Sequence, residues 1–297
     1  MTIAETLLAW YRAHGRDLPW RHTRNPYHIL VSEVMLQQTQ VDRVKPFYRA
    51  WLKQFPTWKA CALASNADVI HAWAGLGYNR RALMVRDVAR HITQHGVPAS
   101  ESDWRAIKGI GPYTASAVSA FAQKKRTLPI DTNIRRVLGR VLLGKPFSDV
   151  RDDEQLAPLA DTFLPKRGAY YDVPQAIFDL AGMICTKTPD CAHCPLKQSC
   201  LARAQFESGS VIIPKRSIAI AKERHHRDKP HPDRIYRGRI LKLVREEKKV
   251  SLDTIGPQID TSYKSQLDKL WIEAMIDRLI KDGLLSKKSN TVKLSIH

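Results

Sequence analysis

The chain has no run of eighteen apolar residues and so offers no membrane-spanning helix. Its N-terminus, Met1-Thr2-Ile3-Ala4-Glu5, lacks the basic-then-apolar layout of a secretory signal. Both absences place the expected work in the cytoplasm, on the nucleoid, with no membrane partner. Acid is scarce as well: 29 Asp plus Glu stand against 48 Lys plus Arg, a formal net charge of +19 that points first to a polyanion such as nucleic acid. Cysteine is rarer still, five in 297 residues, and four of the five fall between positions 185 and 200. An intracellular group of that kind argues for a metal rather than a disulfide framework, and Cys61, alone in a helical context, reads as a small core residue.

Alternating strand patterns are missing from the first 204 residues, where apolar residues recur at spacings of three and four between breaks at Pro or Gly. Helices are expected at 3–13, 26–40, 46–54, 67–75, 80–95, 102–106, 115–123 and 133–143. From 209 to 233 the chain turns basic, His-rich and Pro-punctuated and reads as a linker. Beyond it, helices at 237–247 and 265–282 precede two short strands, the order of a winged helix, which lays a helix in a DNA groove or serves as a protein-interaction module.

Cys185, Cys191, Cys194 and Cys200 stand as C-x5-C-x2-C-x5-C. Four thiolates suit zinc or a [4Fe–4S] cluster, and the presence of one close pair instead of two favours iron–sulfur. Lys187 and Lys197 lie inside the pinned loops, where they would meet a phosphate backbone or remain ordinary solvated lysines.

Lys108-Gly109-Ile110-Gly111-Pro112 joins two helices through glycines that permit a tight turn, and amides at such a turn can hold a phosphate. By itself a G-x-G turn is weak. Glu33 interrupts the apolar helix Ile29 to Leu36: facing a dry pocket, it would have a raised pKa and keep a proton to donate, whereas on a wet face it would be an ordinary carboxylate. Asp131, after Leu128-Pro129-Ile130, sits near a helix N-cap, where the helix end favours its ionised form.

Together these segments resemble the endonuclease III and adenine DNA glycosylase branch of the helix-hairpin-helix superfamily, over roughly residues 3 to 201. Leu18-Pro19-Trp20-Arg21, Ser32-Glu33-Val34-Met35-Leu36-Gln37-Gln38-Thr39-Gln40-Val41, Gly75-Leu76-Gly77-Tyr78 and the Cys loop occur in the order seen in adenine glycosylases. The resemblance implies an all-α helix-hairpin-helix glycosylase fold with an iron–sulfur loop, plus a small C-terminal winged-helix-like α+β domain. Residues 1–25 and 134–208 would form the cluster-bearing domain and 26–133 the helical barrel, followed by the linker at 209–233 and the winged-helix-like domain at 234–297.

It also implies roles. Glu33 matches the acid that protonates the flipped base, Asp131 the carboxylate that stabilises the charge developing on the sugar, and Asn133 a residue that positions these groups. Tyr113 occupies the place where bifunctional relatives carry a Schiff-base lysine, so the expected chemistry is hydrolysis without strand cleavage. Arg16, Trp20, Arg21, Leu36 and Gln175 match the surroundings of the flipped base. Gln38 and Tyr78 match residues that wedge into the duplex, and Gln37, Gly109, Gly111, Lys187 and Lys197 are the further DNA contacts expected. The expected protein is a monomer with a [4Fe–4S] cluster, acting on duplex DNA that contains a mismatched or damaged base.

The expected target is adenine opposite 8-oxoguanine or G. The alternatives are a thymine or uracil mismatch glycosylase and a noncatalytic DNA-binding redox sensor. The chain departs from the family pattern in its first Cys spacing, five instead of six, in Thr132 where Gly is common, and in Asn79 where a second Tyr is common. It also has a winged-helix pattern where many relatives carry a Nudix-like reader of 8-oxoguanine.

Overall fold

A computed structural model describes residues 1–168, 171–214 and 224–296. In chain order the helices are α1 (Ile3–His14), α2 (Pro26–Leu36), α3 (Val41–Gln54), α4 (Trp58–Leu63), α5 (Asn66–Ala72), α6 (Arg80–His95), α7 (Glu101–Ala106) and α8 (Pro112–Phe121). They continue with α9 (Thr132–Leu143), α10 (Asp153–Phe163), α11 (Asp172–Met183), α12 (Arg203–Glu207), α13 (Asp233–Glu247), α14 (Leu252–Ile259) and α15 (Ser265–Lys281). Strands β1 (Lys249–Ser251), β2 (Leu285–Lys288) and β3 (Thr291–Leu294) all lie at the C-terminal end.

Local chemistry sets many of these ends. Thr2 and Glu5 close a capping box on α1, and Ser100 and Asp103 close another on α7. α2 stops at Leu36, short of the expected 40, because Gln38 turns left-handed (φ 55°) and Thr39 N–H bonds back to the Leu36 carbonyl. α3 starts at Val41 and runs through Pro46, which the sequence reading had placed at its start. Its buried stripe of Val44, Tyr48 and Trp51 spans the proline, so tertiary burial outweighs the lost backbone bond.

The chain divides into two compact units, Met1–Glu33 with Pro98–Arg216, and Val34–Val97 with Ser217–His297. The division falls in the last turn of α2 and before α7, not at 25/26 and 133/134. Long-range bonds account for the placement of the hairpin: Thr127 Oγ1 donates to Glu101 Oε2 (3.1 Å), and Arg126 Nη2 donates to the Leu164 carbonyl (2.8 Å). In the first unit, Leu7 and Leu8 of α1, Ile134, Val137 and Leu138 of α9, Leu156 and Phe163 of α10, and Ile177 and Leu180 of α11 form one core.

In the second unit, Trp51 packs edge-on against Trp73 with ring centroids 5.4 Å apart. Its C-terminal module has the order helix, strand, helix, helix, strand, strand, with an antiparallel sheet ordered β1-β3-β2 and registers Val250↔Val292 and Leu285↔Leu294. This is the winged-helix arrangement with a third strand, β1, too short to show as alternation. Asn66 Nδ2 on α5 donates to the Gly283 carbonyl (2.9 Å), joining the module to the barrel helices of its unit. Lys229, read as linker, is buried: its Nζ meets Asp260 Oδ2 at 2.6 Å and Asp268 Oδ2 at 2.7 Å, while His226 stacks on Trp271. Composition marked that tract as solvated because its partners lie more than thirty residues downstream.

Candidate active site

Glu33 is only 5% exposed, on the apolar helix α2. Tyr113, in the first turn of α8, donates from its hydroxyl to Glu33 Oε2 at 2.6 Å. Burial drives the Glu33 pKa up; the tyrosine hydrogen bond opposes this and the nearby Asp131 charge adds to it, leaving the carboxyl at about 7. Glu33 is thus buried and not on a wet face of α2. Tyr113 itself is pushed well above its ordinary value, by burial first and then by Glu33, so it remains a neutral donor.

The hairpin positions that tyrosine. Gly109 adopts φ 95°, a conformation that L side chains rarely take, and lets the chain reverse between α7 and α8; Gly111 caps α8 with Pro112 in its first turn. A Cβ at Gly111 would meet only open space.

Asp131 is the N-cap of α9. Its Oδ1 accepts from the N–H groups of Asn133 and Ile134, both at 2.8 Å, and its Oδ2 accepts from Asn133 Nδ2 at 2.8 Å. These donors favour the carboxylate, as the helix end was expected to. Yet burial outweighs them, and the net shift of Asp131 is upward; the expected bias toward ionisation is corrected here, because a local sequence motif carries no record of depth. Asn133 Oδ1 in turn accepts from Arg136 Nη2 (3.3 Å), whose Nε donates to the Cys185 carbonyl (2.8 Å).

Arg16 and Arg21 converge on a residue that sequence reasoning missed, Asp179 of α11, which is fully buried. Arg16 Nε meets Asp179 Oδ1 at 2.6 Å, and Arg21 Nη1 and Nη2 reach its two oxygens at 2.8 and 2.9 Å. Arg21 Nε also donates to Gln175 Oε1 (2.9 Å). Burial raises the Asp179 pKa, but the arginine hydrogen bonds and charges prevail and hold it below the usual range. Trp20 is buried beside them in chain order, and Leu36 is half-buried at the end of α2. Sequence held one signal for Asp179, an acid among the apolar residues of α11.

Cys185, Cys191, Cys194 and Cys200 line one small cavity walled by Val137, Val141, Leu180 and Ile184. Arg140, 1% exposed, donates from Nη1 to Cys185 Sγ (3.3 Å) and to the Thr186 carbonyl (2.6 Å), and from Nη2 to the Lys187 carbonyl (3.2 Å). Burial first, with mutual repulsion among the sulfurs, raises the thiols of Cys191 and Cys200 and takes Cys194 to about 11, so they ionise only beside a cationic centre. Among the described residues no group of three His, Cys, Asp or Glu converges as the ligands of a single ion. Four thiols lining one cavity, with an N–H donor to the sulfur of Cys185 and an apolar wall, form a donor set that fits a thiolate-held metal centre. Lys187 is exposed and its Nζ contacts the Pro214 carbonyl (2.5 Å); Lys197 folds back onto the Ala192 carbonyl (3.0 Å) and lines the cavity.

In the second unit, Gln37 and Gln38 follow α2, and Tyr78, 62% exposed, has φ 49°. Arg81, also missed from sequence, binds both loops: Nη1 donates to the carbonyls of Val34 (2.8 Å) and Gln37 (2.6 Å), Nη2 to that of Gly77 (3.3 Å), and its guanidinium lies 5.2 Å from the Tyr78 ring.

Residues 31–158 match the model of the HhH-GPD superfamily of base excision DNA repair proteins. The solved structure of a thermostable thymine-DNA glycosylase, 27% identical, aligns with a TM-score of 0.63 over 68% of this chain and 95% of its own. Adenine DNA glycosylases of Mycolicibacterium smegmatis and Mycobacterium tuberculosis are 34% and 36% identical, over 96% and 95% of this chain and 92% of each relative. The chain belongs to the adenine DNA glycosylase family of helix-hairpin-helix repair proteins.

Proposed function

We propose that the protein hydrolyses the N-glycosidic bond of adenine mispaired with 8-oxoguanine or G in duplex DNA, leaving an abasic site. The observation that carries this reading is Glu33, a buried carboxyl that titrates at about 7 and is hydrogen-bonded by a tyrosine where an attacking amine would otherwise stand. At neutral pH about half of such groups hold a proton. Glu33 delivers it to the adenine ring, the bond to the sugar breaks, and the base leaves neutral. Asp131, as carboxylate, stabilises the cationic sugar. Water adds to the sugar carbon and returns its proton to Glu33. Tyr113 has no amine to trap the sugar, so the reaction ends at hydrolysis.

Arg16, Trp20, Arg21, Leu36 and Gln175 would bound the flipped adenine, with Asp179 fixing the arginines. Gln37, Gln38, Tyr78, Gly109, Gly111, Lys187 and Lys197 would meet the DNA. The four cysteines would hold a [4Fe–4S] cluster, which when bound supplies a cross-link for their loop and no step of base release.

The test is to incubate the protein with duplexes containing A:8-oxoguanine, A:G, T:G or U:G and compare strand breakage with and without alkali. Breakage of the two adenine duplexes only after alkali is expected. Preference for T:G, the reading favoured by likeness to the thymine-DNA glycosylase, would overturn the choice of base, and breakage without alkali would overturn the hydrolytic mechanism.

A further inference from the structure

We infer that α13 of the C-terminal module carries a phosphate-binding face, built on Arg234 and Arg237, that holds the DNA backbone beside the Gln38 and Tyr78 loops. In a winged helix the groove-binding role would fall to α15. Here the outer side of α15 mixes Lys269 and Lys281 with Asp277 and leaves Leu270 80% exposed, a poor match to a polyanion. α13 presents a different surface. Arg234 and Arg237 line one cleft together with Gln38, Tyr78, Arg80 and Arg81. The cleft has a single acid, Asp282, and that acid already faces Arg80 Nη1 at 3.5 Å.

The same two arginines line a second cleft together with Arg224 and Arg278, so they form a cationic ridge with open space on both sides. Its one acid, Asp233, is engaged by Trp271 Nε1 at 2.9 Å. Among the described residues Arg237 Nε, buried at the base of its guanidinium, has no hydrogen-bond partner. The planar guanidinium fork matches two phosphate oxygens, and arginines on successive turns of a helix suit successive points of a backbone. The ligand class is therefore the DNA phosphodiester, recognised without regard to sequence.

The inference rests on the reading of duplex DNA as substrate, so wild-type base release is measured first; its failure would sink that reading and not this one. Binding of an unmodified homoduplex, which needs no excision, is then titrated over 50 to 200 mM salt for the wild type, R234Q/R237Q and R234K/R237K. The glutamine pair is expected to weaken binding at least tenfold and to make the slope of log affinity against log salt shallower by about 1 for each lost contact. The lysine pair keeps the slope. K269Q/K281Q, on α15, leaves both unchanged. An unaltered slope in R234Q/R237Q, or a greater loss in K269Q/K281Q, would overturn the assignment. If the glutamine pair fails to fold, phenylglyoxal labelling of the wild type, mapped by mass spectrometry, decides: DNA should shield Arg234 and Arg237, and undiminished labelling refutes the site.

Discussion

Asn133 Nδ2 donates to Asp131 Oδ2 at 2.8 Å while its own Oδ1 accepts from Arg136, so one amide, held from behind, aims the carboxylate at the head of α9. Asn133→Ala removes a charge-assisted donor worth about 1.5–3 kcal/mol and should slow single-turnover base release by about 10- to 100-fold. Binding of an abasic duplex should change little. A variant as fast as the wild type would show that Asp131 needs no such support.

The pH profile tests Glu33. Its acid form is the working form, so base release should level off below pH 7, until Asp131 in turn takes a proton, and fall about tenfold per pH unit above it. Stability should follow the same group. Because the folded pKa lies above the unfolded one, the contribution is fully present below about 4.5 and is lost as pH rises through about 7, amounting to about 3 kcal/mol. Glu33→Gln should therefore abolish release and raise the melting temperature more at pH 8 than at pH 5. Equal shifts at both pH values would contradict the buried, titrating carboxyl.

Tyr113→Phe deletes the bond that holds the Glu33 pKa down. The alkaline limb of the rate profile should then move to higher pH, with the catalytic step retained. A limb that stays in place would mean that another group sets it.

Arg140 caps three acceptors around the cysteine loop from a fully buried position. Arg140→Met should leave the two carbonyls unsatisfied, cost about 3 kcal/mol and lower the iron bound per chain. Iron content, the visible absorbance of a cluster and thermal denaturation check it together.

Lys229→Met leaves Asp260 and Asp268 buried without their cation, a loss of about 3 kcal/mol confined to the C-terminal module. Limited proteolysis should clip that module first. The double change of Asp268→Leu with Lys229→Met should restore part of the resistance.

What the sequence made legible was local. Glu33 stood out because its neighbours in α2 are apolar, the four cysteines because they crowd sixteen positions, and Asp131 because a proline and a helix flank it. What it hid was pairing over distance and depth. Asp179 lies about 160 residues from Arg16 and Arg21, Lys229 lies more than thirty from its aspartates, and no window of residues reports such partners. The Asp131 shift was misread for a related reason: the N-cap is written in the sequence, whereas the burial that outweighs it arises only once the surrounding chain has packed.

Arg81 takes its carbonyls from Gly77, just before Tyr78, and from Val34 and Gln37, just before Gln38. Two left-handed, non-glycine residues, each costing of order 1 kcal/mol or more, are thus clamped by one guanidinium. Such a clamp makes the two loop tips a single stiff tool. Little freedom is left to lose when they enter a duplex, and pushing on one tip shifts the other, so substitutions in either loop should not act independently.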